Sequence, residues 1–201
     1  MKKALNNSVR SVDVLNVDKI IAEKTLCELH LTTGSVLGSV VFNTAGIVVE
    51  KWIRLFGSGN DALSKNISTV NKENDISEFS GFLLVADDVI GGLFAMNTGR
   101  YNEQLGNIWY FAPDTLDWEP LNMQYSEFFS WVISGNTNDF YNELRWSTWQ
   151  EDVQNIEFNQ ALLIYPFLWS KESKNKTTSK KIVPTKELLS INIDFYRQFS
   201  Q

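Results

Sequence analysis

The sequence predicts a single domain of the α+β class, with a mixed, mainly antiparallel sheet flanked by helices. After one N-terminal helical pattern, strand-like runs fill the first half of the chain and helical patterns follow in the second, while short turns containing Gly, Asn or Asp separate the strands. The 201 residues are 43% hydrophobic and 13% aromatic, which is enough for one substantial core. No segment has the character of an interdomain linker, so the domain is predicted to span residues 1–201.

A helix and a β-hairpin are predicted near the N-terminus. Asp18 occupies an N-cap position, and apolar residues recur at helical intervals as far as Leu29, which predicts an amphipathic helix. β-Branched residues are frequent in 36–42 and 47–55, and the turn-forming segment 43–46 lies between these runs. The two runs are therefore predicted to be the strands of a β-hairpin.

A second hairpin is predicted around an acidic turn in the middle of the chain. The apolar runs 82–86 and 93–97 lie on either side of Asp87-Asp88 and Gly91-Gly92. Asp side chains bond the nearby backbone, and Gly adopts positive φ angles or permits close approach of the backbone, so both favour tight turns. The neighbouring predictions are a short helix over 61–67, a surface loop over 68–81 and a strand over 107–112.

Helices dominate the second half of the prediction. Phe128, Trp131 and Val132 are spaced as one face of a helix that begins at Ser126, and Gly135 suits its C-terminal end. A longer helix is predicted within 138–156, with Trp146, Trp149, Val153 and Ile156 on one face. The remaining predicted elements are a buried or half-buried extended segment over 162–169, an exposed loop or hairpin tip over 171–181, and a final short helix capped by Thr185.

Composition restricts the partner and the compartment. Asp and Glu number 24 against 18 Lys and Arg, and the formal net charge of −6 opposes binding to nucleic acid. An acidic chain suits a basic protein partner such as a nuclease, and the same charge is also ordinary for solubility. No apolar run has the character of a signal peptide or reaches membrane-spanning length. We expect a cytoplasmic protein that binds neither nucleic acid nor membranes.

Two residues that occur once limit the available chemistry. Cys27 is the only cysteine, which rules out an intramolecular disulfide, and its apolar neighbours predict a small core residue. His30 is the only histidine and stands at the end of the first helix, where a structural role is favoured over a catalytic triad. The glycine patterns of phosphate-binding loops and of serine hydrolases are absent. The sequence therefore predicts neither a cofactor nor a metal.

Four carboxylates leave an enzymatic alternative open. Asp87 and Asp88 at a strand end, with Asp114 and Glu119 further on, could form the paired carboxylates of a hydrolase. Adjacent aspartates before a Gly-Gly pair are also common turn formers. The alternative requires all four carboxylates to converge in one concave pocket.

Arg145 lies in an aromatic segment that includes Trp146 and Trp149. Its guanidinium could stack on a ring or pair with a carboxylate such as Asp139, and so hold the segment in place. Trp and Arg are also the residue types enriched in the energetic hot spots of protein interfaces. Packing and interface roles both remain open for this group.

Long stretches of the chain carry a resemblance to a known family: 31–59, 83–97, 110–121, 140–149 and 165–170. They resemble a bacterial family of unknown function, DUF2625. The resemblance extends from about residue 9 to the C-terminus, with one departure in the first hairpin, where Lys51 stands before Trp52 in place of the usual Gly. The departure leaves the geometry of that turn undetermined.

A shorter pattern is formed by Asp88, Gly91, Gly92, Phe94, Ala95, Asn97 and Gly99. This pattern is similar to the SUKH superfamily of α+β domains, which occurs among bacterial toxin-immunity proteins. The resemblance implies a non-catalytic protein that binds and blocks a protein partner such as a toxin. The predicted binding surface, near the sheet and the acidic turn, comprises Asp87, Asp88, Arg100, Asp114, Arg145, Trp146 and Trp149.

Overall fold

A seven-stranded antiparallel sheet is the main structural element, and its strands lie side by side in the order of the chain. The computed structural model describes residues 5, 8, 10–73, 78–174 and 178–199. Each strand pairs antiparallel with the one that follows it in the chain. Short turns make most of these connections, whereas residues 16–45 separate the first strand from the second and residues 57–81 the third from the fourth. The strands are β1 (Val12–Leu15), β2 (Gly46–Val49), β3 (Ile53–Phe56), β4 (Phe82–Asp88), β5 (Leu93–Asn97), β6 (Asn107–Ala112) and β7 (Asp117–Gln124).

Helices pack on this sheet and on one another, which confirms the predicted α+β class. Helix α2 contacts α1 and α4, and α4 also contacts β6 and β7. The helices are α1 (Lys19–Glu28), α2 (Val36–Asn43), α3 (Ile67–Glu73), α4 (Tyr125–Ser134), α5 (Thr137–Phe140), α6 (Trp149–Val153) and α7 (Thr185–Phe199), with a 3₁₀ helix at Lys171–Lys174.

A small two-stranded sheet lies beside the main one. Its strands are β8 (Gln160–Tyr165) and β9 (Ser179–Pro184), and α7 packs on both. The backbone N–H of Leu162 donates to the carbonyl oxygen of Val89 at 2.7 Å. Leu162 and Ile164 also belong to the hydrophobic core that includes the buried side chains of the main sheet. The small sheet is therefore joined to the large one by both backbone bonding and apolar packing.

The first predicted hairpin is wrong. Its first run is helix α2, because the Ser35 side chain caps the helix by accepting a hydrogen bond from the Gly38 N–H at 2.9 Å, and the buried face of α2 outweighs the β-preference of its valines. The second run is itself a hairpin, in which β2 and β3 are joined through Glu50 and Lys51.

Two predicted helices and the predicted burial of Cys27 are also wrong. Residues 61–66, predicted to be helical, form a loop, and α3 begins at Ile67. The first part of the predicted loop 68–81 is therefore helical, and residues 74–77 of that loop lie outside the described residues. The helix predicted within 138–156 is two short helices, α5 and α6, because the chain turns between them to place Arg145 among aromatic rings. Cys27 is exposed, on the solvent side of α1.

Several other predictions are confirmed. Asp18 caps α1 by accepting hydrogen bonds from the N–H groups of Ile20 and Ile21. The second hairpin forms as β4 and β5, and α4 ends at Gly135. Strands β1, β7 and β9 had no counterpart in the prediction. Strand β7 contains Pro120, which is tolerated there because β7 is the last strand of the sheet.

Candidate functional site

Asp87 is held in the core by the side chains of Arg54 and Lys65. Its Oδ1 accepts a hydrogen bond from Nε of Arg54 at 2.6 Å, and its Oδ2 accepts one from Nζ of Lys65. Arg54 and Asp87 are 1% and 2% exposed. A carboxylate buried to this extent requires such partners, because its transfer from water is costly.

Arg54 also ties three strands together. Its Nη2 donates to the carbonyl oxygen of Asp88 at 2.9 Å, and its Nη1 donates to that of Gln160 at 2.5 Å. The planar guanidinium thus connects β3 and β4 of the main sheet to β8 of the small sheet. Arg54 and Asp87 therefore have an architectural role.

Asp88 is held by neutral donors instead. Its Oδ2 accepts hydrogen bonds from the hydroxyls of Tyr110 at 2.7 Å and Tyr141 at 3.0 Å, and its Oδ1 accepts from the N–H groups of Ile90 at 3.1 Å and Gly92 at 2.7 Å. Burial raises the pKa of the Asp88 carboxyl, while these donors oppose the increase. The bond to Ile90 is the predicted aspartate turn.

Both aspartates of the acidic turn are buried, contrary to the prediction that this turn is part of an exposed surface. Asp87 and Asp88 are 2% and 0% exposed, and all four of their side-chain oxygens accept hydrogen bonds within the protein. Neither carboxylate is available to a partner in solution. The prediction was wrong because an Asp-Asp pair shortly before Gly-Gly is typical of a surface turn, whereas β4, which contains both aspartates, lies in the middle of the sheet.

Arg145 is enclosed by aromatic rings, and one of them belongs to Tyr141, whose hydroxyl bonds Asp88. Its guanidinium carbon lies 3.9 Å from the ring centroid of Trp149, 4.8 Å from that of Trp52 and 4.9 Å from that of Tyr141. Cation–π attraction stabilises such a position, and partial burial strengthens it. Burial also lowers the pKa of Arg145, and Glu50 opposes this shift.

Glu50 lies between two arginines. Its Oε2 accepts hydrogen bonds from Nη1 of Arg10 at 2.9 Å and from Nη2 of Arg145 at 3.4 Å. Nη2 of Arg10 also donates to the carbonyl oxygen of Gly135, and its Nη1 bonds the Thr137 hydroxyl. Glu50 thus joins the β2–β3 turn to the segment that follows α4.

The turn that carries Glu50 has an unfavourable backbone geometry. Glu50 and Lys51 have φ angles of 54° and 57°, in the left-handed region that favours Gly or Asn. For other residues this conformation costs about 1 kcal/mol each. The Lys51 ammonium lies 4.1 Å from the ring centroid of Phe158 and 3.7 Å from Oδ2 of Asp13. The turn therefore places a lysine at a position whose φ angle glycine adopts most easily.

Two openings adjoin this group. The first, the Arg145 cavity, has a volume of about 280 Å³ and the second, the turn cleft, about 610 Å³. The Arg145 cavity is lined by Asp114, Glu143, Leu144, Arg145, Trp146, Ile164, Leu168, Ser173 and Thr178. The turn cleft is lined by Arg10, Ser11, Glu50, Lys51, Trp149, Gln150, Val153 and Gln154.

The structure brings four of the seven predicted binding residues together. Arg145, Trp146 and Asp114 line the Arg145 cavity, and Trp149 lies against the Arg145 guanidinium. Arg100 lies apart from Asp87 and Asp88, because it follows β5 at the opposite end of the β4–β5 hairpin. The length of the hairpin, at about 3.4 Å per residue, separates them by about 20 Å. The residues that sequence reasoning missed are Arg10, Glu50, Lys51, Trp52 and Tyr141.

The four carboxylates of the hydrolase alternative are held in different surroundings. Asp87 and Asp88 are buried in the core, Asp114 lines the Arg145 cavity, and Glu119 lies on β7, where burial, Asp114 and Asp117 raise its pKa. Within the described ranges, no group of three or more His, Cys, Asp or Glu side chains is arranged to hold a metal ion. In the same part of the chain, no helix is long and apolar enough to cross a membrane.

The fold and this buried site define an α+β protein built on an antiparallel sheet. Residues 1–188 match the family described as protein of unknown function DUF2625. The chain is 36% identical over 201 residues to the putative uncharacterized protein YbfG of Escherichia coli K12, with 98% of this chain and 90% of the relative covered. It is 37% identical over 169 residues to an uncharacterized protein of Haemophilus influenzae Rd, with 82% and 74% covered. The chain belongs to the DUF2625 family.

Proposed function

We propose that the protein is a non-catalytic, cytoplasmic binding module that recognises another protein through the surface around Arg145, Trp146 and Trp149, hereafter the Arg–Trp surface. The observation that carries this proposal is the enclosure of Arg145 by three aromatic rings and Glu50 beside two openings to solvent. Arg and Trp are enriched in the residues that dominate binding energies.

The side chains of the Arg–Trp surface are held in place in the absence of a partner. Trp146 and Trp149 are half-buried, so each combines a fixed position with an accessible edge. Nε1 of Trp146 donates to Oδ2 of Asp152 at 2.5 Å, which fixes the ring further. A surface that is already ordered loses less conformational entropy on association, and this favours affinity.

The placement of the carboxylates supports a non-catalytic role. A hydrolase acting through Asp87 and Asp88 needs at least one of them to face substrate, yet both are enclosed by protein donors. Their contacts join strands and close a turn, which accounts for their presence without catalysis. The Arg145 cluster also joins segments of the chain, but unlike the two aspartates it adjoins two openings to solvent.

The similarity of the segment 88–99 to the SUKH superfamily suggests an immunity role for this binding. In this proposal the partner is a toxin-like protein, and binding at the Arg–Trp surface blocks its activity. The net charge of −6 is compatible with a partner that is basic overall. The proposal concerns a protein partner and includes no nucleic acid or cofactor.

Affinity capture with matched baits tests the proposal. The wild-type chain, Trp146→Ala, Glu143→Arg and Tyr165→Ala are immobilised, and proteins retained from the host are quantified by mass spectrometry. Glu143 lines the Arg145 cavity and is exposed, so its charge reversal leaves the core intact. Tyr165 is 61% exposed and belongs to the small sheet, which makes it a control aromatic residue.

We expect one protein to be retained by the wild type and by Tyr165→Ala, and to be depleted at least fivefold with Trp146→Ala and Glu143→Arg. Equal retention by all four baits would place the contact elsewhere on the protein. Circular dichroism and thermal unfolding show whether each bait is folded before it is used.

A further inference from the structure

We propose that the turn cleft binds an acidic segment of the partner, with carboxylate side chains placed against Lys51 and Arg10. This inference rests on the proposed function, because it assigns the chemistry that the partner presents at one part of the same surface. The cleft is lined by Arg10 and Ser11, which precede β1, by the β2–β3 turn, and by helix α6 with the residue that follows it. It lies next to the Trp149 side of the Arg145 cluster.

Charge at the cleft is the first argument. Three cations, Arg10, Lys51 and Arg145, lie at or directly behind its wall, and the anions paired with them are Glu50 and Asp13. Glu151 and Asp152 of α6 are not among the residues that line the cleft. Glu50 is already shared between Arg10 and Arg145, so its charge is neutralised within the wall. The Lys51–Asp13 pair is 3.7 Å apart, with side chains 34% and 44% exposed, and such exposed pairs are weak. The local charge is positive on a chain whose net charge is −6.

Shape and hydrogen-bonding groups are the second argument. The cleft holds about 610 Å³, which is within the range of sites for ligands much larger than a single carboxylate. Gln150 of α6 and Gln154, which caps the C-terminal end of this helix, both line the cleft. With Ser11 they offer amide and hydroxyl groups to a peptide backbone. Trp149 supplies an apolar wall. A short extended segment with carboxylate side chains fits these groups.

The backbone of the turn is the third argument. Glu50 and Lys51 both adopt left-handed φ angles, and this conformation holds Lys51 at the wall of the cleft while Glu50 faces the arginines. Unfavourable backbone geometry is concentrated at functional sites in proteins. A glycine at position 51 would adopt this φ angle with ease but would lack the ammonium group at the wall of the cleft.

Titration with synthetic peptides tests the inference. Blocked hexaglutamate and hexaglutamine peptides are titrated into the full chain by calorimetry, with sodium acetate and inorganic phosphate as free-anion comparisons. The variants are Lys51→Gly, Lys51→Asn and the control Lys24→Gln, whose side chain is 76% exposed on α1. Both changes at position 51 suit the left-handed φ angle and remove the charge.

We expect hexaglutamate to bind with one-site saturation, and the two Lys51 variants to weaken binding at least fivefold while their melting temperatures stay the same or rise. Lys24→Gln should change the affinity less than twofold. Equal binding of hexaglutamate and hexaglutamine, equal binding by the Lys51 variants and the wild type, or binding of acetate or phosphate as tight as that of the peptide would each overturn the inference.

The two proposals fail in different ways. A partner captured through the Arg–Trp surface, together with no hexaglutamate binding, would overturn the acidic-segment assignment and leave the proposed function standing. Lys51-dependent hexaglutamate binding without any captured protein would support the assignment of the cleft and count against the proposed protein partner.

Discussion

The hydroxyl of Tyr110 donates a hydrogen bond to Oδ2 of Asp88 at 2.7 Å, in a part of the core where both residues are almost completely buried. Tyr141 donates to the same oxygen. Burial, followed by the charge of Asp88, raises the pKa of both tyrosines well above 10. The two phenols therefore remain protonated donors, and they take the place that a cation occupies beside Asp87.

The first prediction concerns the Tyr141 hydroxyl. Tyr141→Phe leaves Asp88 with one donor fewer in the core, and we expect the free energy of unfolding to fall by about 1–3 kcal/mol. Urea denaturation followed by circular dichroism measures the change. Tyr165→Phe, at an exposed position, should leave it within about 0.5 kcal/mol. An unaltered midpoint for Tyr141→Phe would show that its hydroxyl does not stabilise the carboxylate.

The second prediction concerns Gly92. A Cβ atom at this position would lie 2.3 Å from the Tyr110 hydroxyl oxygen and 2.4 Å from Oδ2 of Asp88. Gly92→Ala must therefore displace the buried network, and we expect a loss of about 1–3 kcal/mol in the free energy of unfolding. Gly99→Ala is the comparison for steric crowding, because nothing lies within 4 Å of a Cβ there, although its φ of 143° adds backbone strain. A Gly92→Ala protein as stable as the wild type would contradict the close approach.

The third prediction concerns the titration of Lys65. Burial, with Arg54 as the second cause, lowers its pKa to about 7 from an ordinary value of 10.5. Between these pH values the unfolded chain binds more protons than the folded chain, so the free energy of unfolding should rise with pH. We expect an increase of about 1 kcal/mol per pH unit between pH 7.5 and 9.5.

Denaturation curves across this pH range, for the wild type and for Lys65→Met, measure that slope. The variant lacks the titrating group, so its unfolding free energy should vary much less with pH. Parallel pH profiles for the two proteins would assign the dependence to other groups.

The fourth prediction concerns the planar guanidinium of Arg145. Arg145→Lys keeps a positive charge but loses stacking on Trp149 and the geometry of the bond to Glu50, and we expect a loss of about 1–2 kcal/mol in unfolding free energy. Arg197→Lys is the control, since Arg197 forms an exposed ion pair with Glu78. Equal stability of both variants would show that the aromatic enclosure adds nothing to a simple charge.

Local signals explain which elements could be predicted from the sequence. Asp18 caps α1 and Gly135 ends α4 through interactions within a few residues, so both ends were predictable. Helix α2 was mistaken for a strand because its valines favour β structure, whereas the Ser35 cap and burial decide the outcome. Strand β7 was missed because Pro120 argues against a strand unless its edge position is known.

The site depended on contacts between distant parts of the chain. Arg10 and Arg145 meet Glu50 across separations of 40 and 95 residues, and no pattern in one sequence reveals such a pairing. The aromatic segment around Arg145 was recognised because its residue types are unusual together. The exposure of the acidic turn was predicted wrongly, because sequence alone does not show that Asp87 lies opposite Arg54 in a central pair of strands.

The most direct test of binding at the Arg–Trp surface compares two dissociation constants. They are those of the captured partner with the wild type and with Glu143→Arg. The exposed position of Glu143 keeps this comparison free of folding effects. We expect calorimetry to show binding that is at least tenfold weaker for Glu143→Arg, and unchanged for Tyr165→Ala. Equal affinity for the wild type and Glu143→Arg would contradict the proposal that the partner binds at this surface.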